Sequence, residues 1–188
     1  MKTTSILTPL IAALALIAFV SPTSAEDKKS VHEFSVKDID GKEVDLSKYK
    51  GKALMIVNVA SRCGKTPQYA NLVALQKTFK KKGLLVLGFP ANNYGKQEPG
   101  TNDEIKEFCS SKYQVDFPMF AKVSVKGDDQ APLFQYLTKA DNPDAKGDIK
   151  WNFEKFLIGK DGKLIRRFNS GVVPDSPEVV AAVEKAVK

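Results

Sequence analysis

The chain is poor in the residues that most protein chemistry relies on: 188 residues hold two cysteines, one histidine and one tryptophan. Two cysteines and His32 cannot complete a four-ligand structural zinc site without carboxylate help, and they exclude paired zinc fingers. A Cys-His or Ser-His-Asp nucleophile would have to recruit His32, which lies far in sequence from every candidate nucleophile. Long apolar runs are lacking too. Ile6 to Val20 is 15 residues interrupted by Pro9, short of the roughly 20 that span a bilayer. With Lys2 before it and Thr23-Ser24-Ala25 after it, the stretch reads as a signal peptide cleaved after Ala25. Residues 26–188 are then expected to be one exported domain, periplasmic or secreted, with no stable membrane insertion. What is plentiful is positive charge, 29 Lys+Arg against 22 Asp+Glu for a formal +7. No nucleic-acid motif accompanies it, and a Lys-rich surface of this size serves solubility.

Periodicity then sets the order of elements. Phe34-Ser35-Val36, the Asp40-Gly41 turn and Val44 to Leu46 predict an N-terminal β-hairpin. Ala53 to Ala60 (ALMIVNVA) is a nearly continuous apolar, β-branched run, as in a strand covered on both faces. Tyr69, Leu72, Val73, Leu75 and Phe79 recur at helical spacing over 67–82, ahead of Gly83. Leu84 to Phe89 is a second buried strand, and two such strands joined by a helix imply a parallel pair. A helix over 101–111, a helical piece over 132–139, a hairpin from 153–158 and 164–168, and a C-terminal helix over 178–187 complete the chain. This is the element order of a thioredoxin-like α/β fold, a central mixed sheet flanked by helices.

Cys63 and Cys109 are 46 residues apart. A permanent bridge closing that loop would contribute about 4 kcal/mol, so an exported, non-catalytic domain with one structural disulfide is a consistent reading. The setting of Cys63 favours reactivity instead. It follows the first buried strand and precedes the helix, at the carboxyl edge where α/β sheets bind ligands, and Arg62 and Lys65 flank it. Thr66 stands three residues on, where a Cys-x-x-Cys exchanger carries its second thiol. Single-thiol oxygen chemistry is the natural task left: a thiolate attacks a peroxide oxygen and becomes a sulfenic acid, which a second thiol condenses to a disulfide.

The residues around Cys63, Val57-Asn58-Val59-Ala60-Ser61-Arg62-Cys63-Gly64-Lys65-Thr66-Pro67-Gln68-Tyr69, resemble the peroxidatic segment of the glutathione peroxidase family. Two further blocks resemble that family in the same order, Leu87 to Gly100 (LGFPANNYGKQEPG) and Trp151 to Leu157 (WNFEKFL). The resemblance implies a thiol peroxidase with Cys63 where some members carry selenocysteine, and with Gln97, Trp151 and Asn152 as the remaining active-site groups. It places Cys109 where thioredoxin-dependent members carry a resolving cysteine. It implies no metal or prosthetic group, a thioredoxin-like protein or glutathione as reductant, and hydrogen peroxide and lipid hydroperoxides as substrates. Ala91 replaces a cysteine found in many members, which leaves the Cys63 and Cys109 pair intact. The stretch between Phe120 and Trp151 lacks the long insertion by which tetrameric members associate, so a monomer is implied.

Overall fold

A computed structural model describes Met1 and residues 28–188; the rest of the expected signal peptide lies outside the described residues. β1 (Ser35–Lys37) and β2 (Glu43–Asp45) form the N-terminal hairpin, with Val36 opposite Val44. The main sheet has four strands in the order β4-β3-β5-β6: β3 (Ala53–Val59), β4 (Leu84–Pro90), β5 (Lys155–Ile158) and β6 (Leu164–Phe168). β3 and β4 are parallel from Ala53 opposite Leu84 to Val59 opposite Pro90, whereas β5 and β6 run antiparallel, so the sheet is mixed. α1 (Gln68–Phe79) makes the β3-to-β4 crossover, and α2 (Asn102–Tyr113), α3 (Pro132–Lys139) and α4 (Pro177–Ala186) follow.

Every residue of β3 is buried, because helices cover both of its faces. Side chains alternate across a strand. Met55, Val57 and Val59 join a core with Leu72 and Phe79 of α1, Ile105 of α2 and Val179 of α4, while Leu54 and Ile56 face Leu133, Phe134 and Leu137 of α3. The predicted elements are found with shifts at their ends. α1 stops at Phe79, Lys80–Lys82 tighten into a 3-10 turn, and Gly83 leaves the helix at φ 104. α2 begins one residue later than expected, because Thr101 is its N-cap in a reciprocal capping box with Glu104.

The sheet continues past β4 through the 117–120 segment. Gly88 N–H donates to the Pro118 carbonyl at 3.0 Å, and Phe120 N–H donates to the Gly88 carbonyl at 2.9 Å. That approach requires glycine, since a Cβ on residue 88 would lie 2.5 Å from Met119 Sδ and 3.3 Å from the Phe117 ring. Gly88→Ala is therefore expected to lower the unfolding free energy by about 1–2 kcal/mol, with Met119 displaced. Urea denaturation reads it, and an unchanged midpoint would mean that this edge is looser than its geometry.

Candidate active site

Cys63 sits in the turn between β3 and α1, and that turn is closed by hydrogen bonds. Cys63 N–H donates to Thr66 Oγ1 at 3.0 Å, and the Thr66 hydroxyl donates to the Ala60 carbonyl at 2.8 Å. Lys65 N–H donates to Cys63 Sγ at 3.3 Å. The sequence places the thiol at the helix N-terminus, but α1 starts only at Gln68, five residues on. The amide that meets the sulfur thus belongs to the turn, and a helix-end effect, which fades within one turn, is secondary. Thr66, at first only the missing second thiol, is what fixes the turn. Cys63 is 7% exposed and buried at the edge of the core, its sulfur held in a backbone cradle.

Two other segments converge on this turn. Arg62 N–H donates to the Gln97 carbonyl at 3.0 Å, which ties the residue before Cys63 to the loop after β4. Asn152 Nδ2 donates to Gln97 Oε1 at 2.9 Å. That bond sets both amides: the Gln97 oxygen is occupied, and its Nε2 keeps both N–H donors for another acceptor. Trp151 is 38% exposed and packs its ring against Tyr94, with centroids 5.7 Å apart. The Tyr94 hydroxyl donates to the Ile149 carbonyl, and burial pushes it up to about 12, so it remains a protonated donor.

The bracket for Trp151 and Asn152 is Asn58, a fully buried amide in β3. Its Nδ2 donates to the Trp151 carbonyl at 3.0 Å, and its Oδ1 accepts Glu154 N–H at 3.0 Å. Phe153, between them, is held at φ 65, so β5 begins at Lys155 and not at Phe153 as the apolar pattern predicts. Asn58, Thr66 and Tyr94 all support the site, and the sequence reading overlooked that role. The available signal was a lone amide inside the apolar run ALMIVNVA. Lys155 braces the other side: its Nζ donates to Gln68 Oε1 at 2.9 Å, to the Asn169 carbonyl at 3.2 Å and to the Val172 carbonyl. Burial pushes this amine down to about 7, with Lys65 adding and Glu154 opposing.

Cys109 is on the inward face of α2, one helical turn after Ile105, and these two are the only buried residues of that helix. Both cysteines are free thiols and share one core cluster. Burial pushes the Cys109 thiol up to about 11, the neighbouring Glu98 adds to this, and the adjacent Tyr69 hydroxyl opposes it. Tyr69 lies beside the sulfur, yet its hydroxyl makes no hydrogen bond of normal geometry. Among the described residues no group of three or more His, Cys, Asp or Glu is placed to hold a metal ion.

Comparison with known proteins identifies the family. The family model described as glutathione peroxidase matches residues 31–138. The chain is 46% identical over 168 residues to the hydroperoxy fatty acid reductase gpx1 of Synechocystis, with 86% of this chain and 98% of that one covered. It is 44% identical over 172 residues to the thioredoxin/glutathione peroxidase BtuE of Escherichia coli, covering 81% and 94%. The crystal structure of Trgpx in apo form superposes with a TM-score of 0.69 at 40% identity, over 85% of this chain and 95% of that one. A family model spanning more than half of the chain, and relatives aligned over nearly their whole length, establish that the chain belongs to the glutathione peroxidase family.

Proposed function

We infer that the chain reduces hydrogen peroxide and organic or lipid hydroperoxides, in an antioxidant role, with Cys63 as its nucleophile. The observation that carries this reading is the pair of bonds from Arg62 to Gln97 and from Asn152 to Gln97, which gathers three distant segments at the Cys63 turn. The Cys63 thiolate attacks one peroxide oxygen, the O–O bond breaks, and the departing oxygen takes a proton from solvent and leaves as alcohol or water while Cys63 becomes a sulfenic acid. Gln97 Nε2, the Trp151 indole N–H and the Asn152 amide are the donors offered to the thiolate and the leaving oxygen. Cys109 then attacks the sulfenic sulfur and expels water, giving a Cys63–Cys109 disulfide. A thioredoxin-like dithiol protein or glutathione reduces it, as the names of the relatives from Escherichia coli and Synechocystis suggest for donor and substrate class.

For the two sulfurs to approach bonding distance, α2 must give way near Cys109. The helix takes no part in the sheet and buries only Ile105 and Cys109, so local opening costs little compared with global unfolding. The same reading includes export through residues 1–25 and action as a monomer; the exported protein is expected to begin at Glu26, which its intact mass reads. The catalytic part is tested by adding one equivalent of hydroperoxide to the reduced protein and counting thiols. The protein should lose two, whereas Cys109→Ser should lose one and hold a sulfenic acid that a dimedone-type reagent traps. Peroxide consumption no faster than that of free cysteine would sink the peroxidase reading, and a Cys109→Ser variant that still cycles with thioredoxin would remove the resolving role.

A further inference from the structure

Two carboxylates are buried among the described residues, Glu154 and Glu98. Glu154 faces Arg167, but Glu98, 1% exposed, leaves its Oε2 without a hydrogen-bond partner, and the catalytic cycle gives it no task. It lines a cavity of about 180 Å³ with Ser61 and Arg62 on one wall and Ile105 and Phe108 of α2 on the other. The first wall runs directly into Cys63, and the second ends one residue before Cys109. Glu98 also follows Gln97 in sequence, its carbonyl is tethered by Lys122 Nζ at 3.2 Å, and its carboxylate lies within electrostatic reach of Cys109.

We propose that Glu98 is the proton acceptor of the resolving step, receiving the Cys109 proton as that sulfur attacks Cys63 and delivering it to the departing oxygen. The inference rests on the Cys63–Cys109 disulfide proposed above. In the step, an electron pair of the Cys109 sulfur forms the S–S bond and the S–O bond of the sulfenic acid breaks. Cys109 is oxidised, Cys63 is reduced, and the departing hydroxide takes the proton from Glu98 and leaves as water, which restores the carboxylate. Such a base is needed because the resting Cys109 thiol is held protonated. Burial raises the Glu98 carboxyl, which makes it a stronger acceptor, while Ser61, Lys122 and Arg62 keep its charged form accessible. Tyr69 from α1 lies within electrostatic reach of both Cys109 and Glu98, and Glu104 of α2 also lines the cavity.

The charge of Glu98 alone would have the opposite effect, because it holds the Cys109 proton on. Glu98→Gln therefore separates the two roles by sign. Rapid mixing of the reduced protein with one equivalent of hydrogen peroxide gives two rates, sulfenic acid formation by reagent trapping and disulfide formation by mass. The ratio of the second to the first is expected to fall about 10²-fold in Glu98→Gln, the scale of a positioned base, with partial recovery in Glu98→Asp. The wild-type resolving rate should be nearly flat from about pH 7 to 9, whereas in Glu98→Gln it should climb about tenfold per unit, since Cys109 must then ionise unaided below a pKa of about 11. A resolving rate that is unchanged or faster in Glu98→Gln overturns the proposal. If the wild-type protein forms no Cys63–Cys109 disulfide at all, the reading beneath it fails instead.

Discussion

Cys63→Ser is expected to leave less than about one thousandth of the hydroperoxide turnover, with the fold unchanged. Serine is nearly isosteric, and the turn is held by the Cys63 backbone N–H, the Thr66 hydroxyl and the Ala60 carbonyl, none of which involves the sulfur. What is lost is the nucleophile. A serine hydroxyl needs an adjacent base, and the one histidine, His32, lies in a 3-10 turn against the Gly162 turn, between Val31 and Phe34 of the core that packs on α3, whereas Cys63 belongs to the core that packs on α1. The check is turnover of hydrogen peroxide and of a fatty acid hydroperoxide with saturating thioredoxin or glutathione, alongside circular dichroism. A folded serine variant that keeps even a few per cent of the activity would move the chemistry to another residue.

How far this site is legible in the sequence depends on the residue. Cys63 is legible because a thiol between a continuous apolar strand and a helix has few bland explanations, and Thr66 at the third position removes the commonest alternative. β3, α1 and β4 are legible because their periodicity is strong, and α3 spans the 132–139 stretch expected to be helical. Gln97, Trp151 and Asn152 have no signal of their own: an amide in a polar loop and a lone indole are ordinary residues. Only the resemblance singled them out, and only the fold explains why they meet. The bond from Asn152 to Gln97 spans 55 residues and the one from Asn58 to Trp151 spans 93, separations that no local pattern encodes. Glu98 was hidden for the opposite reason, since a glutamate before Pro99-Gly100 reads as a solvated turn residue until burial shows otherwise.

The largest stability effect should come from a residue with no part in the chemistry. Arg167 on β6 is 6% exposed and faces Glu154, itself 2% exposed; its Nε and Nη2 donate to Glu154 Oε2 at 3.0 and 2.8 Å. The guanidinium also donates to the Gly147 carbonyl at 2.6 Å and the Asp148 carbonyl at 3.0 Å, so one side chain holds the loop that leads into Trp151. Arg167→Met keeps most of the apolar volume but strands a buried carboxylate and releases two carbonyls, a loss of about 3–5 kcal/mol. For a domain of this size that lowers the melting temperature by about 10 °C. Adding Glu154→Leu should recover much of it, because a buried pair replaced whole costs far less than one broken in half. The recovery cannot be complete, as Glu154 Oε1 also accepts Lys150 N–H at 2.5 Å, one residue before Trp151. The double variant is thus expected to regain stability while turnover stays depressed, because the loop before Trp151 and Asn152 has lost its anchor. Thermal unfolding and turnover measured on both variants decide it: equal recovery of the two would show that the Glu154 and Arg167 pair supports the fold without positioning the active-site loop.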